Sequence, residues 1–260
     1  MLNIQITDMT TIVAFWLAFS RWLAVIFQLP LFENVSVPVM IKVLTSLIIT
    51  FAFFPLIESQ ILLDIKYVGE NSFWYLTVFN TLVGLVIGFF VKSIMSIFIS
   101  TGAIITQQIG FNALHYFDPS AGGQVGPFEK LIEWTVLMMI LTSGALIPMF
   151  KGVVVSFSSI HIYNIGKMAH SIDFFMIMFK SIFISSLMLA TPMIFMNMLI
   201  NGVMGIVSRA VPQMNVITVS FAVNIGLGLL VFVAGSDEFF QTCFKMYTEK
   251  LGMWFQFLAV

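Results

Sequence analysis

The residues of this chain that could carry out chemistry are concentrated in one polar stretch, residues 107–127, between two long apolar tracts. It contains His115 and Asp118, which are close enough in sequence to be considered as an acid/base pair. Catalysis would also need a nucleophile or a set of metal ligands within reach. The chain's three histidines do not cluster, and it contains no P-loop, zinc-protease, nucleophile-elbow or dinucleotide motif. We therefore expect no catalytic centre, no metal site and no cofactor.

The same stretch favours irregular backbone. Residues 107–127 contain four glycines and two prolines in a chain that otherwise avoids polar residues. Glycine raises the backbone entropy lost on folding, and proline removes an N–H donor, so both oppose a continuous helix. The pattern predicts a loop at or near membrane depth, positioned by the helices on either side.

The composition is that of an integral membrane protein. Of 260 residues, 60% are hydrophobic and 9% charged, and the mean hydropathy is +1.04. The apolar residues form long runs, which indicate helices rather than the alternating strands of a barrel. We predict an all-α integral membrane fold.

Charge and cysteine content exclude two further properties. The net charge of −1 and the lack of a basic block argue against nucleic-acid binding. The single cysteine, Cys243, excludes an intrachain disulfide.

The apolar runs predict the order of the elements. Helices are expected at residues 11–31, 39–57, 73–105, 131–150 (broken at Pro148), 174–207 and 216–234. Residues 58–71 are expected to be a polar connector, 151–173 an interfacial helix or helix-loop, and 208–216 the turn of a helical hairpin. Residues 237–260 predict an amphipathic helix whose aromatic face lies against a partner or interface. Because a single span needs about 20 residues, the run 73–105 is either one long helix or two that meet at a kink.

Charged residues inside the apolar runs need partners. Arg21, Lys92 and Lys180 lie in such runs, where an unpaired charge is costly. Arg21 is expected to face a protein interior, bound to a carboxylate or to carbonyls of a neighbouring helix; the alternative is snorkelling to an interface. Gly84 and Gly88, four residues apart, favour close helix packing over a ligand site. Some apolar runs are longer than one membrane span needs and contain lysines, prolines and asparagines. Such helices are better surrounded by protein than by acyl chains, which indicates a chain within a multi-subunit membrane complex.

Several stretches together resemble one known family. They are Arg21; Pro30-Leu31-Phe32 with Val37-Pro38; Gln107-Gln108-x-Gly110-Phe111; Asp118-Pro119-Ser120-x-Gly122-x-Gln124-Val125; and Ser208-Arg209-x-x-Pro212-Gln213-x-Asn215-Val216. In this order and at this spacing the chain resembles, over nearly its whole length, the FliR family of flagellar export-apparatus proteins, with injectisome homologues as close relatives. It departs from the family at Phe221-Ala222-Val223, where members often have a proline.

The resemblance implies a non-enzymatic structural subunit of the flagellar type III protein-export gate, in the bacterial inner membrane and flagellar basal body. Such a subunit completes a helical ring with FliP-like and FliQ-like subunits, contacts an FlhB-like export component and passes unfolded flagellar substrates. The implied domains are a FliP-like helical part over residues 1–170, with a pore loop at about 105–127, and a FliQ-like helical hairpin with an amphipathic C-terminal helix over residues 171–260. Use in an injectisome stays open.

The resemblance also implies two sets of site residues. In the family the loop enters the pore as part of a plug, and the matching positions here are Gln107, Gln108, Gly110, Phe111, Leu114, Phe117 and Asp118. The alternative is a packed lumenal loop without a gating role. The expected subunit-interface residues are Arg21, Lys92, Arg209, Pro212, Gln213 and Asn215. For Arg209 and Gln213 the alternative is simple solvation of a hairpin tip.

Another class of function fits some of the same features. A stand-alone secondary transporter of a small solute would also place Arg21, Lys92 and Lys180 in apolar runs and would use interrupted helices. Such transporters have two related halves, and this chain shows no convincing internal repeat. A membrane enzyme is the third possibility.

Overall fold

Long apolar runs form long helices here, because backbone N–H and C=O groups in a membrane must be paired within the protein. The computed structural model describes residues 9–29, 32, 37–69, 72–111, 126–164, 172–213 and 215–259. Its α-helices are α1 (Met9–Gln28), α2 (Val39–Val68), α3 (Phe73–Ile109), α4 (Pro127–Thr142), α5 (Leu146–Ser159), α6 (Ile172–Ala210) and α7 (Val216–Ala259), with a 3-10 helix at Ile162–Asn164. These ranges contain no strand.

Several of these helices are long and apolar enough to cross a membrane. Within the ranges above there are five of them, α1, α2, α3, α6 and α7, and a sixth span arises if α4 and α5 together count as one broken span. The prediction of an all-α integral membrane protein is confirmed.

The expected polar connector at residues 58–71 is wrong over most of its length. Helix α2 runs on to Val68, with Pro55 inside it, and ends at Gly69, which has a φ of 90°. The polar residues there do not stop the helix, since Asp64 is buried and has a partner, the ring of His161, 3.1 Å away. A paired carboxylate is tolerated on a buried helix face, whereas the composition alone suggested a hydrated segment.

Two other helix ends differ from the prediction. Helix α3 is a single helix of 37 residues that includes Gln107 and Gln108, so irregular backbone begins later than expected. The break after α4 lies at residues 143–145, where Gly144 has a φ of 72°, and not at Pro148. Pro148 falls in the first turn of α5, where a missing N–H costs little because that donor has no intrahelical partner.

The C-terminal segment is not a separate helix. Helix α7 continues for 44 residues through Phe221-Ala222-Val223 and through the polar residues after position 234, since no proline interrupts it. Its aromatic face was expected against a partner, but Trp254 is fully buried in this chain and stacks on Phe90, with ring centroids 4.2 Å apart. Aromatic side chains bury large apolar areas, which favours this intramolecular packing.

The chain packs as two compact units built from separate segments. Unit 1 comprises Met1–Ile94, Gly144–Ile177 and Thr248–Val260, and unit 2 comprises Met95–Ser143 and Met178–Tyr247. In unit 1 the buried ring of Trp22 lies 5.6 Å from Phe53 and 5.9 Å from Phe150. The family-based division at residue 170 stays a prediction, because it rests on resemblance rather than on contacts.

Helices α1 and α3 approach closely in unit 1. A Cβ atom on Gly84 would collide with the carbonyl oxygen of Arg21 and lie 2.8 Å from Ala24 Cβ, and one on Gly88 would lie 3.0 Å from Gln28 Cβ. The two glycines therefore let the helix backbones pack side by side, as small residues do in membrane helix pairs. The packing role predicted for this pair is confirmed.

Candidate functional site

Helix α3 ends in a glycine-dependent cap that starts the predicted loop. The N–H of Phe111 donates to the carbonyl of Thr106 at 3.1 Å, and the N–H of Gly110 donates to the carbonyl of Gln107 at 3.1 Å. This is the bond pattern of a Schellman motif. Gly110 has a φ of 95°, which side-chain-bearing residues adopt at a cost. Gly110 therefore sets both the point where the helix stops and the direction in which the chain leaves it.

The other end of the loop is held against the same helix. A Cβ atom on Gly126 would lie 2.7 Å from Thr106 Cγ2. One turn earlier on α3, a Cβ on Gly102 would lie 2.5 Å from the Cα of Glu129. Both glycines allow the end of α3 and the start of α4 to touch. The residues on either side of positions 112–125 are therefore anchored at one place in unit 2.

An aromatic cluster surrounds this anchor. The rings of Phe111 and Phe128 are 5.8 Å apart, and Phe128 meets Phe232 of α7 edge-on at 4.9 Å. A Cβ on Gly110 would lie 3.5 Å from the ring of Phe221, also on α7. The start of the loop is thus packed against α7 as well as α4.

The structure describes four of the predicted plug residues. Gln107 is exposed and helical, Gln108 is half-buried and helical, and Gly110 and Phe111 form the cap. Leu114, Phe117 and Asp118, and with them His115, lie outside the described residues. The plug role of the whole set stays a prediction.

A row of amide side chains connects the end of α3 to α6. The Nδ2 group of Asn197 donates to Gln108 Oε1, and the Nδ2 group of Asn201 donates to Asn197 Oδ1 at 2.7 Å. Asn197 and Asn201 were not among the predicted site residues. Their spacing of four, which places both on one helix face, was the available signal. The hydrogen bond from Asn197 to Gln108 joins residues 89 positions apart, so the spacing of residues in the sequence could not predict it.

Helix α6 ends at Ala210 and α7 begins at Val216, so the break between them falls within the predicted turn, residues 208–216. The N–H of Val211 donates to the carbonyl of Val207 at 2.9 Å, which closes the last turn of α6. Asn215 Oδ1 accepts from the N–H of Thr218 at 3.4 Å, the arrangement of a helix N-cap. The predicted interface residues Arg209, Pro212, Gln213 and Asn215 are all exposed and lie together at this turn.

Arg21 is buried in unit 1, where it is 1% exposed. Its Nε donates to Asn80 Oδ1 at 3.1 Å, and its Nη1 donates to the carbonyl of Ser156 at 2.9 Å. The guanidinium lies 4.0 Å from the centroid of the Phe157 ring, a favourable cation–π distance. The prediction that Arg21 binds a carbonyl of a neighbouring helix is confirmed. A role at a subunit interface stays a prediction, because every contact named here is within the chain.

A second polar pair in unit 1 was missed by the sequence analysis. His161 Nδ1 lies 3.1 Å from Asp64 Oδ1, and His161 Nε2 lies 3.0 Å from the carbonyl oxygen of Ser158. The ring of Tyr163 stacks on the imidazole at 5.0 Å. The pair connects the end of α2 to the chain after α5. Because Asp64 and His161 are 97 positions apart, no motif spacing could reveal them.

The predicted site residues therefore divide between the two units. Unit 1 contains Arg21 and Lys92, of which Lys92 is exposed on α3, and unit 2 contains the loop anchor and the hairpin turn.

In the parts of the chain that the structure describes, no three His, Cys, Asp or Glu side chains converge as a metal site would require.

Comparison with known proteins identifies the family. The family model "Bacterial export proteins, family 1" matches residues 12–250. Flagellar biosynthetic protein FliR of Escherichia coli is 25% identical over 232 residues, which cover 88% of this chain and 86% of the relative. The FliR of Borreliella burgdorferi is 28% identical over 191 residues, 70% of this chain and 71% of the relative. That of Bacillus subtilis is 26% identical over 226 residues, 85% of each. The chain thus belongs to family 1 of the bacterial export proteins, the FliR family of flagellar export components.

Proposed function

We propose that this chain is a structural subunit of the flagellar type III export gate that completes the pore with FliP-like and FliQ-like subunits and contributes a plug loop. Its place in the flagellar export apparatus and in the bacterial inner membrane follows from the family match and the apolar helices. The observation that carries the finer proposal is the glycine-mediated anchor that holds the end of α3 against the start of α4.

The anchor supports the plug for a mechanical reason. A plug that yields to a passing polypeptide and then returns needs a fixed attachment at both ends. Gly102 allows close contact with the backbone of α4, Gly126 lies against the side chain of Thr106, and the Gly110 cap sets the exit direction. Large apolar side chains on such a loop can fill a lumen and exclude water and ions. The plug set remains Gln107, Gln108, Gly110, Phe111, Leu114, Phe117 and Asp118.

The surface of the helices supports assembly with other subunits. Large apolar side chains on α2 and α6 are more than half exposed, including those of Ile48, Leu56, Met198 and Val203. In a membrane such faces contact lipid or other helices. We propose that residues 1–170 take FliP-like contacts and that the hairpin within 171–260 takes FliQ-like contacts. The exposed turn residues would meet a FliQ-like or FlhB-like component.

Removing the apolar side chains of the loop should open the gate to ions. We expect the double substitution Leu114→Ser and Phe117→Ser to raise small-ion permeability in cells with assembled gates, because the loop would no longer fill the lumen with apolar atoms. The measurement is the rate of ion or proton entry across the cell membrane. The matched control is Trp74→Ser with Tyr75→Ser, two exposed residues of α3 in unit 1. Unchanged permeability in fully assembled gates would favour a packed loop without a gating role.

The hairpin turn should matter for assembly rather than for folding. Because Arg209 is exposed, Arg209→Ala is expected to change the stability of the chain by less than about 0.5 kcal/mol. We nevertheless expect less export complex on co-purification, and weaker motility, since a contact to a neighbouring subunit is lost. Lys66→Ala, at an exposed position of α2, serves as the control. If Arg209→Ala cells assemble complex and swim like wild type, the turn is only solvated.

The transporter alternative loses one of its motivations. Arg21 is engaged with Asn80 and Ser156 in helix packing, so its charge needs no transported solute to explain it. The relatives named above are flagellar proteins, which favours a flagellum over an injectisome. Recovery of the chain only with co-expressed partners would support the gate, whereas a stable, monodisperse chain purified alone would support a transporter.

A further inference from the structure

Asp64 and His161 form a buried pair at the end of α2 in unit 1. Each side chain is 5% exposed, and His161 Nδ1 lies 3.1 Å from Asp64 Oδ1. Neither residue belongs to the stretches that identify the family, and the proposed export role does not use them. Burying ionisable groups in a membrane-spanning helix is costly, so such groups point to a function by default. The pair therefore needs an explanation beyond helix packing.

The second hydrogen bond of the imidazole fixes the proton content of the pair. His161 Nε2 lies 3.0 Å from the carbonyl oxygen of Ser158. A carbonyl oxygen only accepts, so Nε2 must carry a proton. On the other side of the ring, either Nδ1 donates to an ionised Asp64 or a protonated Asp64 donates to Nδ1. Both arrangements place one shared proton between Nδ1 and Oδ1 and leave the pair neutral as a whole.

Loss of the shared proton removes this hydrogen bond. The proton passes to water, and the lone pair of Nδ1 then faces a carboxylate, two acceptors that repel each other. The imidazole keeps its bond to Ser158, which belongs to the same segment of the chain. The bond between α2 and the segment after α5 therefore exists only while the proton is bound.

Arg21 compensates the charge of the deprotonated pair. Its charge acts on Asp64, whereas Asn80 and Ser156, to which it donates hydrogen bonds, are neutral. Loss of the shared proton makes the pair negative, and the nearby guanidinium offsets that charge. The hydrogen bond favours keeping the proton and Arg21 favours losing it. Because the two effects oppose each other, pH can decide between the two forms.

Further titratable groups beside the pair lie at the protein surface. The ring of Tyr163 stacks on the imidazole at 5.0 Å, and Tyr67 meets Tyr163 at 5.4 Å. Both tyrosines are exposed, and so is Lys66 next to Tyr67 on α2. Tyrosine and lysine side chains at the end of a membrane span are typical of the boundary with water. A proton can therefore pass between the pair and water without crossing the hydrocarbon core.

We propose that Asp64 and His161 form a proton-binding site that joins α2 to the segment after α5 while the proton is bound and releases that segment when the proton is lost. The ligand is a proton exchanged with water at this end of α2. The site makes the packing of unit 1 depend on pH, whether or not the loop in unit 2 plugs a pore.

The proton and the contact can be followed in the chain assembled with its co-expressed partners in lipid bilayers. Solid-state NMR with isotope-labelled imidazole nitrogens and aspartate carboxyl carbons shows which atom holds the shared proton and how far Nδ1 lies from the carboxyl carbon. The signals of the pair are those lost in His161→Gln and in Asp64→Asn. Between about pH 5 and about pH 10, we expect the shared proton to be lost and the coupling of Nδ1 to Asp64 to fall to background in the same pH step.

Replacing the carboxyl group with an amide gives a second readout. Asp64→Asn retains the shape of the side chain, and its Nδ2 group can donate to a neutral ring at Nδ1 without an added proton. With the isotope label moved to asparagine, the contact in this variant should persist over the whole pH range. Asp173→Asn removes an exposed carboxyl group of unit 1. This matched control should keep the pH step of the wild type.

The proton-binding site is contradicted if the contact persists after the shared proton is lost, or if that proton is retained over the whole range. It is also contradicted if Asp64→Asn loses the contact with rising pH as the wild type does. Recovery of the chain with its partners is measured separately, so none of these outcomes bears on the proposed export role.

Discussion

Replacing Arg21 with alanine is expected to destabilise unit 1 strongly. The guanidinium donates to Asn80 Oδ1 and to the carbonyl of Ser156, and it packs on the ring of Phe157. Each hydrogen bond from a charged group contributes about 1.5 to 3 kcal/mol, and the substitution also leaves a cavity, so we expect a loss on the order of 3 kcal/mol or more. The measurement is the thermal unfolding of the chain in detergent with its co-expressed partners, together with its amount in the membrane.

Two variants separate the hydrogen bonds of Arg21 from its charge. Arg21→Lys keeps the positive charge, but lysine lacks the planar guanidinium group that reaches two acceptors on different helices. Its stability should therefore lie between that of Arg21→Ala and that of the wild type. Arg209→Ala removes an exposed arginine and should leave the unfolding temperature close to wild type. An Arg21→Ala chain that unfolds at the wild-type temperature would show that these contacts add nothing to the fold.

Replacing Gly102 with alanine is expected to disturb the loop anchor. The new Cβ would lie 2.5 Å from the Cα of Glu129, 2.9 Å from its backbone nitrogen and 3.0 Å from the carbonyl oxygen of Phe128. These are backbone atoms, so no side chain can rotate away and helices α3 and α4 must separate. Overpacking of this kind costs about 1 to 3 kcal/mol and sometimes more. We expect a lower unfolding temperature and, with the anchor displaced, a higher ion permeability of assembled gates.

A second glycine provides the matched control for this change. Gly235 lies inside α7 with nothing within 4 Å of a Cβ at that position. Gly235→Ala should therefore be neutral or raise stability by up to about 1 kcal/mol, because alanine has the higher helix propensity. If the two alanine variants unfold at the same temperature, the close contact of α3 with α4 is not what holds the loop ends.

The differences between the predicted and observed helices have a common cause. Residues 58–71 and 237–260 were separated from their neighbours because they contain polar residues, yet α2 continues to Val68 and α7 to Ala259. Polarity predicts a water-exposed connector only when the polar groups lack partners in the protein. Asp64 has such a partner in His161. The aromatic face that includes Trp254 likewise has one in Phe90.

The candidate site was predictable only in part. Gly110 and the hairpin turn were identifiable because a helix cap and a turn depend on neighbours in the sequence. Gly102 and Gly126 gave no comparable signal, and Asn197 gave only its spacing of four from Asn201, since their roles depend on atoms of other helices. The family resemblance located the turn between α6 and α7 but said nothing about what anchors it, and most of the predicted loop lies outside the described residues.

The sequence by itself determined the membrane composition, the existence of the long helices, the family and the turn chemistry at Gly110 and Asn215. The composition, the helices and the turns follow from hydropathy, periodicity and the backbone preferences of single residues, whereas the family follows from its motifs. Only the tertiary structure decided the use of the polar groups inside the helices. Arg21 finds partners 59 and 135 positions away, and Gln108 finds one 89 positions away. A buried polar group must be paired, but which residue pairs with it depends on how the helices pack, and local sequence does not encode that choice.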